Sequence, residues 1–262
     1  ITAFSQRGES TVASPMGLMA GTPLRAPFNE SFAGGSNSSP IGVYTFSGSA
    51  LWSASQSMSQ DDDNGCAYVQ FFDNDSRSML YTAKVDLSAL STPYLYYYVY
   101  NGSGQDNETV ITTKLKVDGE NDWIELGKTT PKEAGGSRAG WHRLTFDLSE
   151  YAGKVVQAAI DVTMANYSGV IFDNIAFDNM TARDLDATTF YCAPTVMAGE
   201  PLTGFIKVIN RGVEDIEGFG IDIFLDGKTA GTVKSDGLRG GDNNMVSFSI
   251  PTNAANAGRH SL

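Results

Sequence analysis

The stretch YLYYYVY at residues 94–100 decides the fold class of this chain. It is of strand length and rich in aromatic residues, which favour strands. Side chains alternate between the two faces of a strand, so two different rows result. One row is Tyr94, Tyr96, Tyr98 and Tyr100, and the other is Leu95, Tyr97 and Val99.

The same period of two recurs on both sides of this stretch. It appears at 66–72 (CAYVQFF), 142–148, 156–162 and 221–225, with glycine-containing turn signals between the runs. No segment longer than ten residues has a helical period, and 147–153 (DLSEYAG) allows one turn at most. These patterns predict an all-β, antiparallel fold made of β-sandwiches.

Length and charge limit the functions that the chain can have. Its 262 residues fit two domains of unequal size, and its formal net charge of −12 argues against binding nucleic acid or anionic membranes. No apolar run is long enough to span a membrane, and ITAFSQRGES (1–10) does not have the pattern of a signal peptide. Cys66 and Cys192 are expected to be two buried thiols and not a disulfide bond.

We divide the chain into three parts. Residues 1–24 are expected to be a leader and linker, 25–182 the main domain, and 183–262 a smaller immunoglobulin-like module. RHSL (259–262) starts another strand, so the smaller module is expected to be truncated.

An acidic cluster is the first candidate site. Asp61, Asp62, Asp63 and Asn64 precede Gly65, and Asp73, Asn74 and Asp75 follow a strand later. Calcium is bound by six to eight oxygen atoms, which such a run can supply, although its spacing differs from that of an EF-hand loop. The alternative is a solvated turn between strands.

The main domain resembles the jelly-roll domains of the MAM and cleaved-adhesin type, as in gingipain adhesin regions and bacterial surface proteins. The resemblance rests on PFNESFAGG (27–35), DDDNGCAYV (61–69), VDLSALSTPYLYYYVYN (85–101), GWHRLTFDLSEYAGKVVQAAI (140–160) and GVIFDNIAFD (169–178). Residues 184–228 resemble the CARDB immunoglobulin-like modules. Residues 1–13 are similar to the last strand of a fibronectin type III domain.

The resemblance implies a structural calcium ion. In such jelly rolls a Glu on the first strand and an Asp on the last strand approach one ion, and here these are Glu30 and Asp173. Asp61 and Asp63 are further candidate ligands. The triple Asp departs from the Asp-Gly-Asp-Gly pattern of the adhesin domains. The pattern therefore does not decide which of its carboxylates would point inward.

The aromatic residues are the second candidate site. A four-tyrosine face could stack on the pyranose rings of a glycan, but it could also be a core layer with its hydroxyl groups at the rim, and we expect the core layer. Catalysis has little support, because His142 and His260 are the only histidines and no HExxH motif occurs.

The sequence therefore predicts a non-catalytic adhesion module of a secreted or cell-surface multidomain bacterial protein. Its partners would be a host protein or carbohydrate and other modules of the same polypeptide. The alternatives are an accessory region of a secreted protease or other hydrolase, or a structural spacer.

Overall fold

The computed structural model describes residues 4–5, 8–9, 21–33, 41–48, 50–55, 58–61, 63–71, 73, 76–102, 108–164, 169–253 and 258–261. It separates into two units, Ile1–Asn179 and Met180–Leu262. Nearly all regular structure in these residues is β-strand, which confirms the predicted all-β class. Within the described residues, no helix is long and apolar enough to cross a membrane.

In the described part of the first unit, the strands follow one another along the chain. They are β1 (Phe4–Ser5), β2 (Gly8–Glu9), β3 (Leu24–Arg25), β4 (Phe28–Glu30), β5 (Ile41–Ser47), β6 (Ala50–Ser55), β7 (Cys66–Phe71), β8 (Arg77–Thr82), β9 (Val85–Asp86), β10 (Pro93–Asn101), β11 (Val110–Val117), β12 (Ile124–Thr129), β13 (Gly140–Asp147), β14 (Val155–Thr163) and β15 (Val170–Asn179).

Two larger sheets form a sandwich in this unit. One has the order β13-β10-β15-β7-β6, with β4 also paired to β15, and the other has the order β12-β11-β14-β8-β5, with β3 and β9 at its side. Apolar residues of both sheets form one buried cluster between them. In β10, alternate residues (Leu95, Tyr97 and Val99) face this core, as a period of two requires.

Tyr97 lies at the centre of that core. Its ring is 0% exposed, and the hydroxyl group is 2.6 Å from Thr113 Oγ1 of the opposite sheet. The ring also packs against Phe146 and Phe172, with centroids 6.1 and 5.9 Å away. Burial raises the pKa of Tyr97, and the hydrogen bond to Thr113 opposes that rise. The hydroxyl group is therefore a neutral hydrogen-bonding link between the two sheets.

Short helical segments connect some strands of this unit. Helix α1 (Pro131–Gly135) has a capping box, in which Thr130 Oγ1 accepts from the backbone N–H of Glu133 and the Glu133 carboxylate accepts from that of Thr130. The turn allowed for 147–153 is present as a 3₁₀ helix at Ser149–Tyr151. Within the predicted leader, residues 4–5, 8–9 and 21–24 are described, and β1 and β2 pair antiparallel.

In the described part of the second unit, the strands are β16 (Leu185–Cys192), β17 (Leu202–Asn210), β18 (Ile216–Leu225), β19 (Lys228–Leu238) and β20 (Asn243–Ile250). They form a three-stranded sheet, β16-β17-β20, and a two-stranded sheet, β18-β19. A small apolar core includes buried side chains of both sheets. Cys192 lies in this unit and Cys66 in the first, and neither cysteine forms a disulfide bond.

Candidate functional site

The acidic candidate site lies where strand β15 changes partners. Along the same edge of β15, residues 170–172 pair with β7 and residues 175–177 pair with β4. Asp173 and Asn174 occupy the interval between these two ladders. Opposite them, the pairing with β10 shifts register between Tyr96 and Tyr98, and Asn174 has a left-handed φ of 51°. This bulge leaves Asp173 and Asn174 able to bind groups other than a neighbouring strand.

Two loops reach this interval. One follows Glu30, the last residue of β4, and carries Phe32, and the other, residues 58–61 and 63–65, precedes β7. The loops touch closely at Gly65, because a Cβ atom there would lie 2.1 Å from the carbonyl oxygen of Phe32. Only a glycine allows the acidic loop to approach the end of β4 so closely.

Replacing Gly65 tests this close approach. We expect Gly65→Ala to lower the free energy of unfolding of the first unit by about 2 kcal/mol, because the backbone of one loop must move. The matched control is Gly231→Ala, since no atom lies within 4 Å of a Cβ at Gly231. Urea unfolding measures both variants, and equal stability of the two would contradict the close contact.

Asp173 is the most buried carboxyl group of the site, with 0% exposure. Its Oδ2 accepts a hydrogen bond from the backbone N–H of Gln60 at 2.7 Å, and its Oδ1 accepts one from the backbone N–H of Asn174 at 2.7 Å. Burial raises the pKa of Asp173 to about 7, the two hydrogen bonds oppose the rise, and the negative charges of Asp61 and Asp63 add to it. The site thus concentrates negative charge around a buried carboxylate.

Asn174 connects the three segments. Its Oδ1 accepts a hydrogen bond from Asn29 Nδ2 at 2.8 Å, and its Nδ2 donates to Gln60 Oε1 at 3.2 Å and to Asp61 Oδ2 at 3.1 Å. Burial would raise the pKa of Asp61, but hydrogen bonds from Ser59, Asn174 and the backbone of Asp63 hold it below its usual range. Asp61 therefore ionises more readily than an ordinary aspartate.

The predicted ligands are brought to one region of the fold. Glu30 pairs in register with Ile175, two residues from Asp173, and its Oε1 accepts from the backbone N–H of Phe32 at 2.8 Å. Asp63 Oδ1 lies 3.1 Å from Ser59 Oγ, which also donates to Asp61 Oδ1 at 2.8 Å. Asp62, Asn74 and Asp75 lie outside the described residues.

Sequence reasoning missed the amide members of the site, Asn29, Gln60 and Asn174. The dipeptide Asp173-Asn174 gives one usable signal, because asparagine tolerates the left-handed conformation that a bulge requires. Asn29 and Gln60 carry no signal of their own, since their role depends on long-range strand pairing.

The oxygen-rich side chains of the acidic site match calcium in chemical type. The donor atoms are carboxylate and amide oxygens, which suit a hard cation, and the repulsion at Asp173 is one that a cation would remove. However, among the described residues no three His, Cys, Asp or Glu side chains form a group that could hold a metal ion. The chemistry of the donors fits calcium, and binding would require carboxylates to turn away from their present hydrogen bonds.

The second candidate site is the outer face of β10 and β13. The core row of β10 is Leu95, Tyr97 and Val99, so the expectation that the four-tyrosine row is a core layer is wrong. Tyr94, Tyr96 and Tyr100 are half-buried, and only Tyr98 is largely buried. Both rows are apolar enough for a core. The row that contains Tyr97 is the one that packs against the opposite sheet.

Neighbouring rings extend this tyrosine row onto β13. Trp141 pairs in register with Tyr100, and their rings meet edge to face with centroids 5.3 Å apart. Tyr96 and Tyr98 are also edge to face, at 6.4 Å, and the Arg143 guanidinium group lies 5.8 Å from the Tyr96 centroid. We call Tyr94, Tyr96, Tyr98, Tyr100, Trp141 and Arg143 the aromatic face.

Each of the two histidines contacts an oxygen atom of its own unit. His142 is buried, and its Nε2 lies 3.1 Å from the carbonyl oxygen of Arg138. His260 Nδ1 lies 2.6 Å from Asp226 Oδ2, next to the turn between β18 and β19. Each ring is thus paired with a group of its own unit that lies outside both candidate sites.

Comparison with solved structures finds similar domains. The K1 cleaved adhesin domain of Lys-gingipain from Porphyromonas gingivalis W83 is 19% identical over 59% of this chain and 98% of its own, with a TM-score of 0.47. The K3 domain of the same protein is 15% identical over 58% of this chain and 98% of its own (TM-score 0.44). A carbohydrate-binding module solved with beta-1,4-galactotriose is 13% identical over 56% of this chain and 92% of its own (TM-score 0.40). No family model and no curated protein matches the chain.

Proposed function

We propose that this chain is a non-catalytic binding module of a secreted or cell-surface protein. The observation that carries the proposal is the aromatic face, where rings that could have been buried in the core stand on the outside of the sandwich. Exposing the apolar surface of aromatic rings to water costs free energy, and a partner that covers the rings recovers it. A cluster of partly exposed rings on a rigid sheet is therefore typical of a binding surface. The face is held from behind by the core row of β10, so its geometry does not depend on flexible loops.

A glycan is the partner that we assign to the aromatic face, with a host protein as the alternative occupant. Sugar rings have apolar faces that pack on aromatic side chains, and their hydroxyl groups bind to polar groups around them. Thr145 of β13 and Asp178 of β15 pair in register with Tyr96 and Tyr94, so they lie on the same side of the sheet as the tyrosines. The face therefore offers rings at its centre and hydrogen-bonding groups beside them.

Removing rings from the aromatic face is the test. We expect the intact chain to bind saturably on a glycan array or on immobilised matrix proteins. Tyr96→Ala and Trp141→Ala should each weaken that binding about tenfold or more, because such rings contribute a large share of binding energy. Tyr191→Ala, which removes an exposed ring in the second unit, is the control. Absence of saturable binding on all probes, or equal loss in the control, would contradict the proposal and favour a spacer.

We also propose that the acidic site binds calcium as a structural ion. Asp173, Asp61 and Asp63 would be the central ligands, with Glu30 at the end of β4. Such an ion would neutralise the buried carboxylate and tie the loop before β7 to β4 and β15. The site adjoins the aromatic face through the register pair Tyr98 and Asp173, so an ion there would also fix the sheet behind the rings.

A further inference from the structure

The two sheets of the first unit carry charges of opposite sign. The strands of the sheet that contains β10, with β4 included, hold one cation and four carboxylates, which are Arg143 and then Glu30, Asp147, Asp173 and Asp178. The strands of the other sheet, with β3 and β9 included, hold five cations and three carboxylates, which are Arg25, Arg77, Lys114, Lys116 and Lys128 and then Asp86, Glu125 and Asp161. With histidine neutral, the first sheet has a formal charge of −3 and the second of +2, in a chain whose net charge is −12.

The lysines of the second sheet point away from the core. The core row of β11 includes Ile111, Leu115 and Val117, so Lys114 and Lys116 lie on the outer side. Residues that pair in register share one side of a sheet, and Thr112 of the outer row pairs with both Lys128 and Asp161. We call the group on this outer side the basic face, formed by Arg77, Lys114, Lys116, Trp123 and Lys128.

Asp161 supports the basic face without neutralising it. Its carboxylate accepts hydrogen bonds from both Arg77 and Lys114, so one negative charge is shared by two cations. The side chains of Arg77 and Lys114 are 41% and 19% exposed, whereas that of Asp161 is 3% exposed. The part of this group that a ligand can reach is therefore positive.

Trp123 places an aromatic ring beside these cations. It packs on the outer side of β8 and β14, against Met79, Tyr81 and Ala159, and it is half-buried. Lys116 Nζ lies 6.0 Å from the centroid of its ring. An indole that is partly exposed next to an ammonium group offers apolar surface and positive charge to the same ligand.

An acidic sugar combines the two properties that match this face. The pyranose ring of a uronic acid has an apolar side that can stack on an indole, and it carries one carboxylate, which lysine and arginine bind. Nucleic acid fits less well, because its phosphates are dense and its affinity depends on neutralising many of them. A formal charge of +2 suits a ligand with one charge on each ring.

We propose that the basic face is a second binding site, which takes glycans that contain uronic acid residues. Trp123 would stack on a sugar ring, and Lys116 and Lys128 would bind its carboxylate and that of a neighbouring residue. The basic face lies on one sheet of the sandwich and the aromatic face on the other. A neutral and an acidic glycan could therefore be bound at the same time.

Isothermal titration calorimetry of the whole chain with uronate hexasaccharides tests the proposal. The probes are oligogalacturonate, oligomannuronate and a hyaluronan fragment, together with their methyl esters, which have no charge, and a hexaglutamate peptide. We expect at least one of the acids to bind, and its methyl ester to bind about tenfold or more weakly. Added salt should raise the Kd of the acid, because it screens exposed charges.

Three substitutions locate the site. Trp123→Ala, Lys116→Glu and Lys128→Glu should each raise the Kd of that acid about tenfold, since they remove the stacking ring or set a negative charge against a carboxylate. Lys154→Glu is the matched control. Its ammonium group also lies near a ring, 5.6 Å from the centroid of Tyr151, but outside the strands of this sheet, so the Kd should change less than about twofold. Circular dichroism checks that each variant is folded.

Four results would overturn the proposal. The first is that none of the acids binds, and the second is that a methyl ester binds as tightly as its acid, which would exclude a role for charge. The third is a Kd that is unchanged in all three variants, since the acid would then bind elsewhere. The fourth is a hexaglutamate peptide that binds as tightly as the best uronate, which would make the basic face a site for acidic peptides.

Discussion

Asp161→Asn is expected to lower the free energy of unfolding of the first unit by about 3 kcal/mol, and the midpoint of thermal unfolding by roughly 6–12 °C. Asp161 is 3% exposed and lies on the outer side of β14, where it pairs with the positively charged side chains of Arg77 and Lys114. Its Oδ1 and Oδ2 accept from Arg77 Nε and Nη2 at 2.9 and 2.5 Å, and Oδ2 also accepts from Lys114 Nζ at 2.5 Å. The substitution leaves both cations without their buried counter-charge.

The pH dependence of this effect has a defined sign. Burial would raise the pKa of Asp161, but hydrogen bonds from Arg77 and Lys114 hold it below its usual range. A carboxyl group with a lowered folded-state pKa stabilises the fold above its unfolded pKa of about 4, and that contribution is lost as the pH falls through the folded value. Wild type and D161N should therefore converge below about pH 4.

The control for Asp161 is Glu125→Gln on β12, an exposed carboxylate of the same sheet. It should change stability by less than about 0.5 kcal/mol. Thermal unfolding at pH 7 measures both variants. If D161N were as stable as E125Q, the ion pairs of Asp161 with Arg77 and Lys114 would contribute as little to stability as ordinary surface ion pairs do.

The strands were predictable because the sequence of each one shows the two-residue period of side chains that alternate between the faces of a strand. The run at 94–100 lies in β10, 142–147 of the run at 142–148 lies in β13, and 156–162 lies in β14. Which face of β10 is buried was not predictable, because both faces carry aromatic residues. That choice depends on the opposite sheet, where Thr113 Oγ1 forms a hydrogen bond with the Tyr97 hydroxyl group.

The candidate acidic site was predictable only in part, for a different reason. Glu30 and Asp173 came from a family resemblance, and Asp61 and Asp63 from an acidic run. The partner change of β15 joins residues up to 145 positions apart, as in the bond from Asn29 to Asn174. Local sequence does not encode such pairings, so the amides of the network were missed.

Calcium is expected to raise the midpoint of thermal unfolding by roughly 5–10 °C when held at 100 times its Kd, equivalent to about 2.7 kcal/mol. The rise should be larger at pH 8 than at pH 5.5. Calcium needs the ionised carboxylate, and the pKa of Asp173 at about 7 means that protons compete for it below neutrality.

Without calcium, Asp173 should make the first unit less stable as the pH rises. Its folded-state pKa lies above the unfolded value, so its favourable contribution is complete below about pH 4 and is lost as the pH rises through about 7. In EDTA we expect the wild type to lose about 3 kcal/mol between pH 5 and pH 8 from this group. Asp173→Asn should show neither this loss nor the calcium response.

Subtracting the D173N profile from the wild-type profile isolates the contribution of Asp173 to the pH dependence of stability. Asp147→Asn, on the exposed end of β13, is the control and should keep both the pH dependence and the response to calcium. If calcium stabilised D173N as much as the wild type, the ion would bind elsewhere. If calcium had no effect on the wild type while the pH dependence persisted, the cluster would be a buried acid network without a metal.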